Sequence, residues 1–510
     1  MQRTPFQGRI LILGFGGVAR CTLPLILRHI EISRERIIVL DKEDLSAAQA
    51  DPAFLGVRFV KAKITQASYR SEILRHIGPG DLLIDLAWNL GCTDLLSLCR
   101  EQDIRYVNTS VELWNPYENR DELAPVDKTL YVRQMAIREL IASWGDNAGA
   151  TAVLDHGANP GLVSHFAKQG LFDLATHWLR ERPADERRGA VEESLATRDW
   201  PALAQALDVK VIHVSESDTQ VARTQRRAGE FLNTWSVEGF YEESIAPAEL
   251  GWGTHEAEFP KDGHRHATGP GNQICLSTFG MNTFVRTRVP SGEITGMVIR
   301  HGEAFSLSDY LTRYDADGRA VYRPTVHYAY CPCDVALESV AELRETGYPN
   351  PDDWRILSDE IVSGRDELGV LLMGHDFQSW WTGTVLTIDE ARTLVPGQNA
   401  TTLQVAASVV GAVLWMFRNP QAGVLLPDAL PYDEILEFAK PYLGKVVSTP
   451  IAWMPTQFRG LTEGADVSAD EHWQFGKFRV EQPPRVRVPR KPVSPVESIP
   501  LPALAGSGDA

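Results

Sequence analysis

The sequence predicts an α/β protein, in which a doubly wound parallel sheet is followed by a second, α+β domain with a mixed or antiparallel sheet. Three observations carry this. The chain opens on an apolar strand that runs straight into a glycine turn, "RILILGFGGVAR". The first 155 residues then alternate short apolar runs with helix-compatible stretches, the rhythm of a parallel sheet covered on both faces. From about Gly157 that rhythm gives way to longer alternating segments such as "VKVIHVSESDTQVA" and "LSTFGMNTFVRTRVP".

In chain order, strands are expected at Arg9–Leu13, Ile37–Leu40, Arg58–Lys61, Leu82–Asp85, Tyr106–Asn108 and Ala152–Leu154. Helices are expected between them at Cys21–Ile30, Tyr69–Ile77 and Leu95–Glu101. The first domain is placed at residues 1–156 and the second at 157–385. A returning helical segment, 386–478, is expected to pack back on the first domain. Its apolar run Leu403–Phe417 is shorter than the roughly 20 residues that span a bilayer, so it reads as a buried helix. Residues 479–510 are rich in proline and small side chains, the composition of a disordered tail.

Composition narrows the partners. In 510 residues, 50 basic side chains face 67 acidic ones, for a net charge of −17. That balance argues against nucleic acid and anionic membranes and favours cationic ligands. The six cysteines are too few and too scattered for a disulfide framework, which points to a reducing, cytoplasmic setting. The sequons at Asn108 and Asn399 carry no meaning there.

The opening turn carries chemistry. Gly14, Gly16 and Ala19 form G-x-G-x-x-A directly after a strand, with Gly17 and Val18 inside the turn. Gly14 permits the tight turn, Gly16 lets the backbone approach a pyrophosphate, and Ala19 allows close helix–strand packing. The second strand ends in Asp41, 22 residues beyond Ala19, where a carboxylate bonds adenosine ribose hydroxyls and repels a 2′-phosphate. The first domain is therefore Rossmann-type and the expected cofactor is NAD. Ligands in such sheets gather at the carboxyl ends of the strands. Asp85, Trp88 and Asn89 lie past strand four, Thr109, Ser110 and Glu112 past strand five, and His156 and Asn159 past strand six. Asp85, Asn89 and Thr109 are assigned to the cofactor.

One further stretch, "NTWSVEGFYEES", mixes aromatic rings with carboxylates. On its own it reads as a solvated amphipathic segment. Taken with the glycine turn, "TSVELW", "GANPGLVS" and "VIRHGEAFSL", it resembles the bacterial homospermidine synthases, a family within the saccharopine-dehydrogenase-like group. The resemblance runs from residue 8 to about 475. It implies an enzyme that joins two putrescines, or putrescine and spermidine, using NAD without net consumption, and it suggests a homodimer built through the second domain. It also implies that Trp235 and Glu243 line a substrate channel with Glu216, Glu112 and Asn159. A desolvated diammonium needs carboxylate partners, and an indole face adds cation–π attraction of roughly 0.5–2 kcal/mol. Hydride leaves readily only from a neutral amine, so a base is required, and Glu216, Glu243 and His301 are the candidates. A histidine in a strand-like segment is also commonly a satisfied structural group. Asp366 is expected either to face the channel or to cap a helix.

Cys331 with Cys333, and His264 with His266, each offer two metal ligands, but neither has a second pair at zinc spacing, so no metal is expected. Two rivals remain. An NAD-dependent amino-acid dehydrogenase of the saccharopine, lysine or carboxynorspermidine type would aim an arginine at its substrate carboxylate. A non-catalytic NAD-binding protein would keep the glycine turn and Asp41 without an acidic channel.

Overall fold

The computed structural model describes residues 3–118, 122–455 and 469–485. Six parallel strands follow the expected order: β1 (Ile10–Leu13), β2 (Ile37–Asp41), β3 (Arg58–Lys61), β4 (Leu82–Asp85), β5 (Arg105–Asn108) and β6 (Gly149–Val153). They align as β6-β5-β4-β1-β2-β3. Successive side chains of β1 serve two cores. Ile10 and Ile12 join one with α1 (Gly17–His29), while Leu11 and Leu13 join another with α2 (Cys92–Glu101) and α3 (Leu130–Ser143). This period-2 division between two apolar faces is why the strand reads as a continuous apolar run. The strand order reverses between β1 and β4, opening the crevice where ligands bind in doubly wound sheets.

Helix α4 (Leu162–Glu181) leads to an 11-stranded mixed sheet. Its central strands are β7 (Val211–Asp218), β13 (Thr325–Cys331) and β14 (Arg365–Met373). Between β7 and β13 the chain forms α5 (Val237–Ser244), β8 (Pro247–Gly251), β9 (Gly263–Arg265), β10 (Gln273–Phe279), β11 (Phe284–Val289), β12 (Gly292–Met297) and α6 (Glu303–Tyr310). Strands β7 and β13 are parallel, whereas β14 runs antiparallel to β7 and to β15 (Ser379–Thr387).

The return is where the structure departs from expectation. Helix α7 (Ala400–Arg418) is long and apolar enough to cross a membrane, but most of it is buried, and it packs along α1. The segment is not wholly helical. Strand β16 (Ala422–Leu425) pairs parallel with β6 as a seventh strand of the first sheet. After α8 (Tyr432–Ala439), β17 (Lys445–Ile451) pairs with β15, so the second sheet extends well beyond residue 385. β16 has only four residues and β17 breaks any alternation at residues 448–450, so neither shows a strand period in the sequence. The expected start of the tail is also corrected, because β18 (Arg479–Val480) pairs with Phe284 and Val285 of β11. Residues 486–510, the rest of that tail, lie outside the described residues.

Candidate active site

The glycine turn sits at the crevice. Gly14 has φ +82°, and a Cβ there would stand 2.9 Å from the Leu86 carbonyl oxygen, so both backbone sign and space require glycine. A Cβ on Gly16 would meet nothing within 4 Å, leaving this flank open to a ligand. Gly16 also starts α1 with no side chain capping it, so the first-turn N–H groups remain free for a phosphate. Gly17 approaches Ile356 from the second unit, Val18 accepts the Thr22 hydroxyl, and Ala19 is buried. Asp41 accepts the Phe15 and Glu43 amides at 2.5 and 2.8 Å, which fixes its carboxylate at the end of β2 beside the turn. These residues fit an adenine dinucleotide.

Three loops follow β4, β5 and β6. Buried Asp85 accepts from the Tyr106 hydroxyl at 3.0 Å, and burial raises its carboxyl to about 7. Asn89 adopts a left-handed conformation, φ 59°, with its amide oxygen unpartnered, and it borders a cleft of about 410 Å³ with Trp114–Glu118. Thr109 lies against Gly157, which joins the loops after β5 and β6. His156 is turned away from the crevice. Its ring bonds His165 of α4 at 3.0 Å and Ser408 of α7 at 2.9 Å, in the interior.

Strand register gathers the acids. Side chains two apart on β7 share a face, and Glu216 and Asp218 stand opposite Tyr330 of β13 and Asp366 of β14 respectively. Glu216 accepts from the Tyr328 hydroxyl at 2.5 Å and the Asn159 amide at 2.6 Å. Burial raises its carboxyl to about 8, with the charge of Asp218 adding and those two hydrogen bonds opposing. Asp366 is buried in a strand, so the helix-cap alternative is ruled out. It accepts from Thr401 of α7 at 3.0 Å and is raised well above the usual range, mainly by burial and then by Glu216.

Trp235 is half-buried just before α5 and donates its indole N–H to Tyr330 at 3.1 Å. Tyr330 in turn stacks on Tyr328, with ring centroids 5.2 Å apart. On α5, Glu243 keeps 20% of its side chain exposed, so it reaches accessible space that Glu216 and Asp366 do not. Its Oε2 is 3.7 Å from His301 Nδ1, and neither atom has a hydrogen-bond partner. Burial lowers His301 to about 3, so the ring is neutral, and it lies 4.3 Å from the Tyr328 ring. Glu112 accepts from Ser110 at 2.5 Å and is raised to about 7 by burial and then by Glu242.

Tyr328, Tyr330, Asp218, Arg133, Glu242 and Arg300 escaped the sequence reading. The i, i+2 spacing of the two tyrosines in "TVHYAYC" was the available signal. Both guanidiniums are engaged by Glu242, at 2.5 Å from Arg133 and by a direct hydrogen bond from Arg300. Among the described residues no cluster of three or more His, Cys, Asp or Glu side chains is placed to hold a metal ion.

A glycine turn with a terminal acid, joined to a mixed-sheet domain that carries buried polar side chains, is the architecture of a two-domain, Rossmann-type dinucleotide-binding protein. Residues 10–153 match the family described as saccharopine dehydrogenase NADP binding domain, and residues 157–451 match saccharopine dehydrogenase C-terminal domain. Within that class, the chain belongs to the homospermidine synthase family. It is 40% identical over 477 residues to homospermidine synthase of Blastochloris viridis, covering 92% of this chain and 96% of that one. It is 38% identical to that of Mesorhizobium japonicum, covering 93% and 96%. The crystal structure of homospermidine synthase from Legionella pneumophila in complex with NAD superposes with a TM-score of 0.81 at 35% identity, covering 94% of this chain and 99% of that one.

Proposed function

We propose that this protein condenses two putrescines, or putrescine and spermidine, into homospermidine, with ammonia or diaminopropane released. Loss of hydride from the carbon beside an amine leaves an imine, amine exchange replaces the nitrogen, and return of hydride gives the secondary amine. NAD, when bound at the glycine turn, accepts that hydride and gives it back. The NADP in one domain description does not fit Asp41, whose fixed carboxylate would repel a 2′-phosphate.

The residues divide the remaining work. Glu216 and Asp366, with Asn159, form the deep anchor for one ammonium. Glu243, with neutral His301 beside it, holds the reacting amine and takes up its proton before hydride leaves. A carboxyl whose pKa stands above its usual value is the stronger base once ionised, which suits that task near neutral pH. The half-buried indole of Trp235 faces the cation that forms on oxidation, offering attraction without a nucleophile. Glu112 serves the incoming amine.

One observation carries the polyamine reading over an amino-acid dehydrogenase. The site concentrates buried carboxyls, and its two arginines are already paired with Glu242, so neither is free to take a substrate carboxylate. The family resemblance further supports a homodimer joined through the second unit. Incubating the purified protein with NAD and putrescine, then resolving products by mass, is the test. Homospermidine should form without NADH accumulating, and putrescine deuterated beside nitrogen should keep its transferred label in the product. NADH rising one-for-one with product would install the dehydrogenase instead.

A further inference from the structure

Glu242 and Arg300 each sit one residue ahead of a proposed site residue, Glu243 and His301. Glu242 is buried on α5 and accepts from Arg133 of α3 and from Arg300 of the loop after β12. Arg133 also donates to the Val111 carbonyl at 2.9 Å and lies 3.8 Å from Glu112, in the loop after β5. Arg300 donates to the Lys128 carbonyl at 2.6 Å. One carboxylate therefore joins three segments, two of which carry Glu243 and His301 while the third reaches Glu112. The same three side chains floor an open cleft of about 170 Å³ that Leu113, Tyr117 and Val132 border.

We propose that Glu242 is a positioning residue: through Arg133 and Arg300 it holds Glu243 against His301 and sets the electrostatic balance under which Glu243 and Glu112 work. This rests on the homospermidine synthase reading and deepens it. Buried charges alternate through the cluster, Glu112, Arg133, Glu242, Arg300, Glu243. Removing one member leaves its partner uncompensated within a largely buried cluster. Glu243 is faced by Glu242 on its own helix, by Arg300, His301 and Glu303 across the loop after β12, and by Glu112 from the first unit, with Glu249 of β8 acting on Arg300. Burial is the main influence and disfavours its carboxylate form; Arg300 favours that form, and Glu242, Glu112 and Glu303 oppose it.

This arrangement predicts opposite responses to two substitutions. Glu242→Gln leaves Arg300 unbalanced beside Glu243, so the acidic limb of the kcat–pH profile should move down by about one pH unit. Arg300→Met leaves Glu242 unbalanced, so the limb should move up by a similar amount. The charge-keeping variants Glu242→Asp and Arg300→Lys should leave the limb in place while lowering kcat on the order of tenfold through lost geometry. If the first pair misfold, this second pair still decides through kcat per folded molecule, because an unchanged kcat in both would overturn the positioning role. Melting temperatures measured alongside separate this from scaffolding, since a mere staple would lower stability in all four and leave the limb unmoved. Limbs that stay put, or move the same way in both charge-removing variants, overturn the proposal. A wild-type protein that makes no homospermidine overturns the functional reading itself, a different result read in the same assay.

Discussion

Trp235 carries two roles that its contacts distinguish. Its N–H is tied to Tyr330 and its ring meets Phe240 in a T-shaped contact with centroids 5.9 Å apart, which is packing, while its partial exposure leaves ring surface for a substrate cation. If the indole stabilises the oxidised substrate by about 2 kcal/mol, Trp235→Ala should lower kcat by about thirtyfold, and Trp235→Phe should recover part of the loss. Glu243→Gln, which removes both an ammonium partner and the proposed proton acceptor, should raise the putrescine KM and also lower kcat. Turnover unchanged per folded molecule in Trp235→Ala, with only the melting temperature lowered, would make the ring a packing residue. Asp41 was legible from its spacing after the glycine turn, whereas Trp235 and Glu243 were singled out only by the family resemblance of a stretch that alone reads as amphipathic. The sequence could not announce the Glu242 cluster, because Glu112, Arg133, Glu242 and Arg300 are brought together only by the fold. Tyr328 and Tyr330 were hidden for another reason, since on a buried strand an aromatic lining a site and one filling a core look alike.

At the scale of elements, α5 is the piece on which the site depends most. It is only eight residues long, too short to be stable alone, and it presents Glu242 and Glu243 in its last turn. Ser236 caps it, accepting from the Gly239 amide at 3.1 Å. Ser236→Ala should cost about 1 kcal/mol of stability. It should also raise the KM for putrescine while the KM for NAD stays near wild type, because the glycine turn does not touch this helix. Equal changes in both constants would show that α5 is held by its packing alone. The first six strands of the first sheet were legible because several are apolar runs and they alternate with helix-compatible stretches. Strands β16 and β17 were not. β16 is a four-residue apolar run, too short to tell from a loop, β17 lacks a clean alternation, and only pairing with β6 and β15 makes them strands.

For the whole molecule, the many buried ionisable groups make stability depend on pH in a definite direction. Burial raises Glu216 to about 8 and Glu112, Glu249, Asp85 and Asp155 to about 7. A carboxyl raised on folding contributes stability that is complete below its unfolded value near 4 and lost as pH climbs through the folded value. Buried His156, His327 and His375 are lowered to about 4, so their contribution is complete above about 6.5 and lost as pH falls toward 4. From pH 6.5 to 8.5 the histidine contribution is already complete, and the several raised carboxyls outnumber Lys168, which burial lowers to about 8 and which acts in the opposite direction, so the free protein's melting temperature should fall across that window. Putrescine should reverse the trend, since a dication favours the carboxylate forms, and its binding at pH 7.5 should release protons. Calorimetric titration in buffers of different ionisation enthalpy would reveal that release. A melting temperature flat or rising over the window would mean that these carboxyls are ionised in the free protein.

The place of β16 has a consequence for how the chain is made. The outer edge of β6 stays unpaired until residues 422–425 arrive, and α1 lacks the helix that packs along it until residues 400–418 do. During synthesis the first unit emerges early but cannot be finished until nearly all of the second has followed. The nascent dinucleotide-binding region must therefore wait, with an open sheet edge and an uncovered apolar helix, for its last pieces from the far end of the chain. Cofactor-binding and substrate-binding halves that look separable along the sequence are thus obliged to mature together.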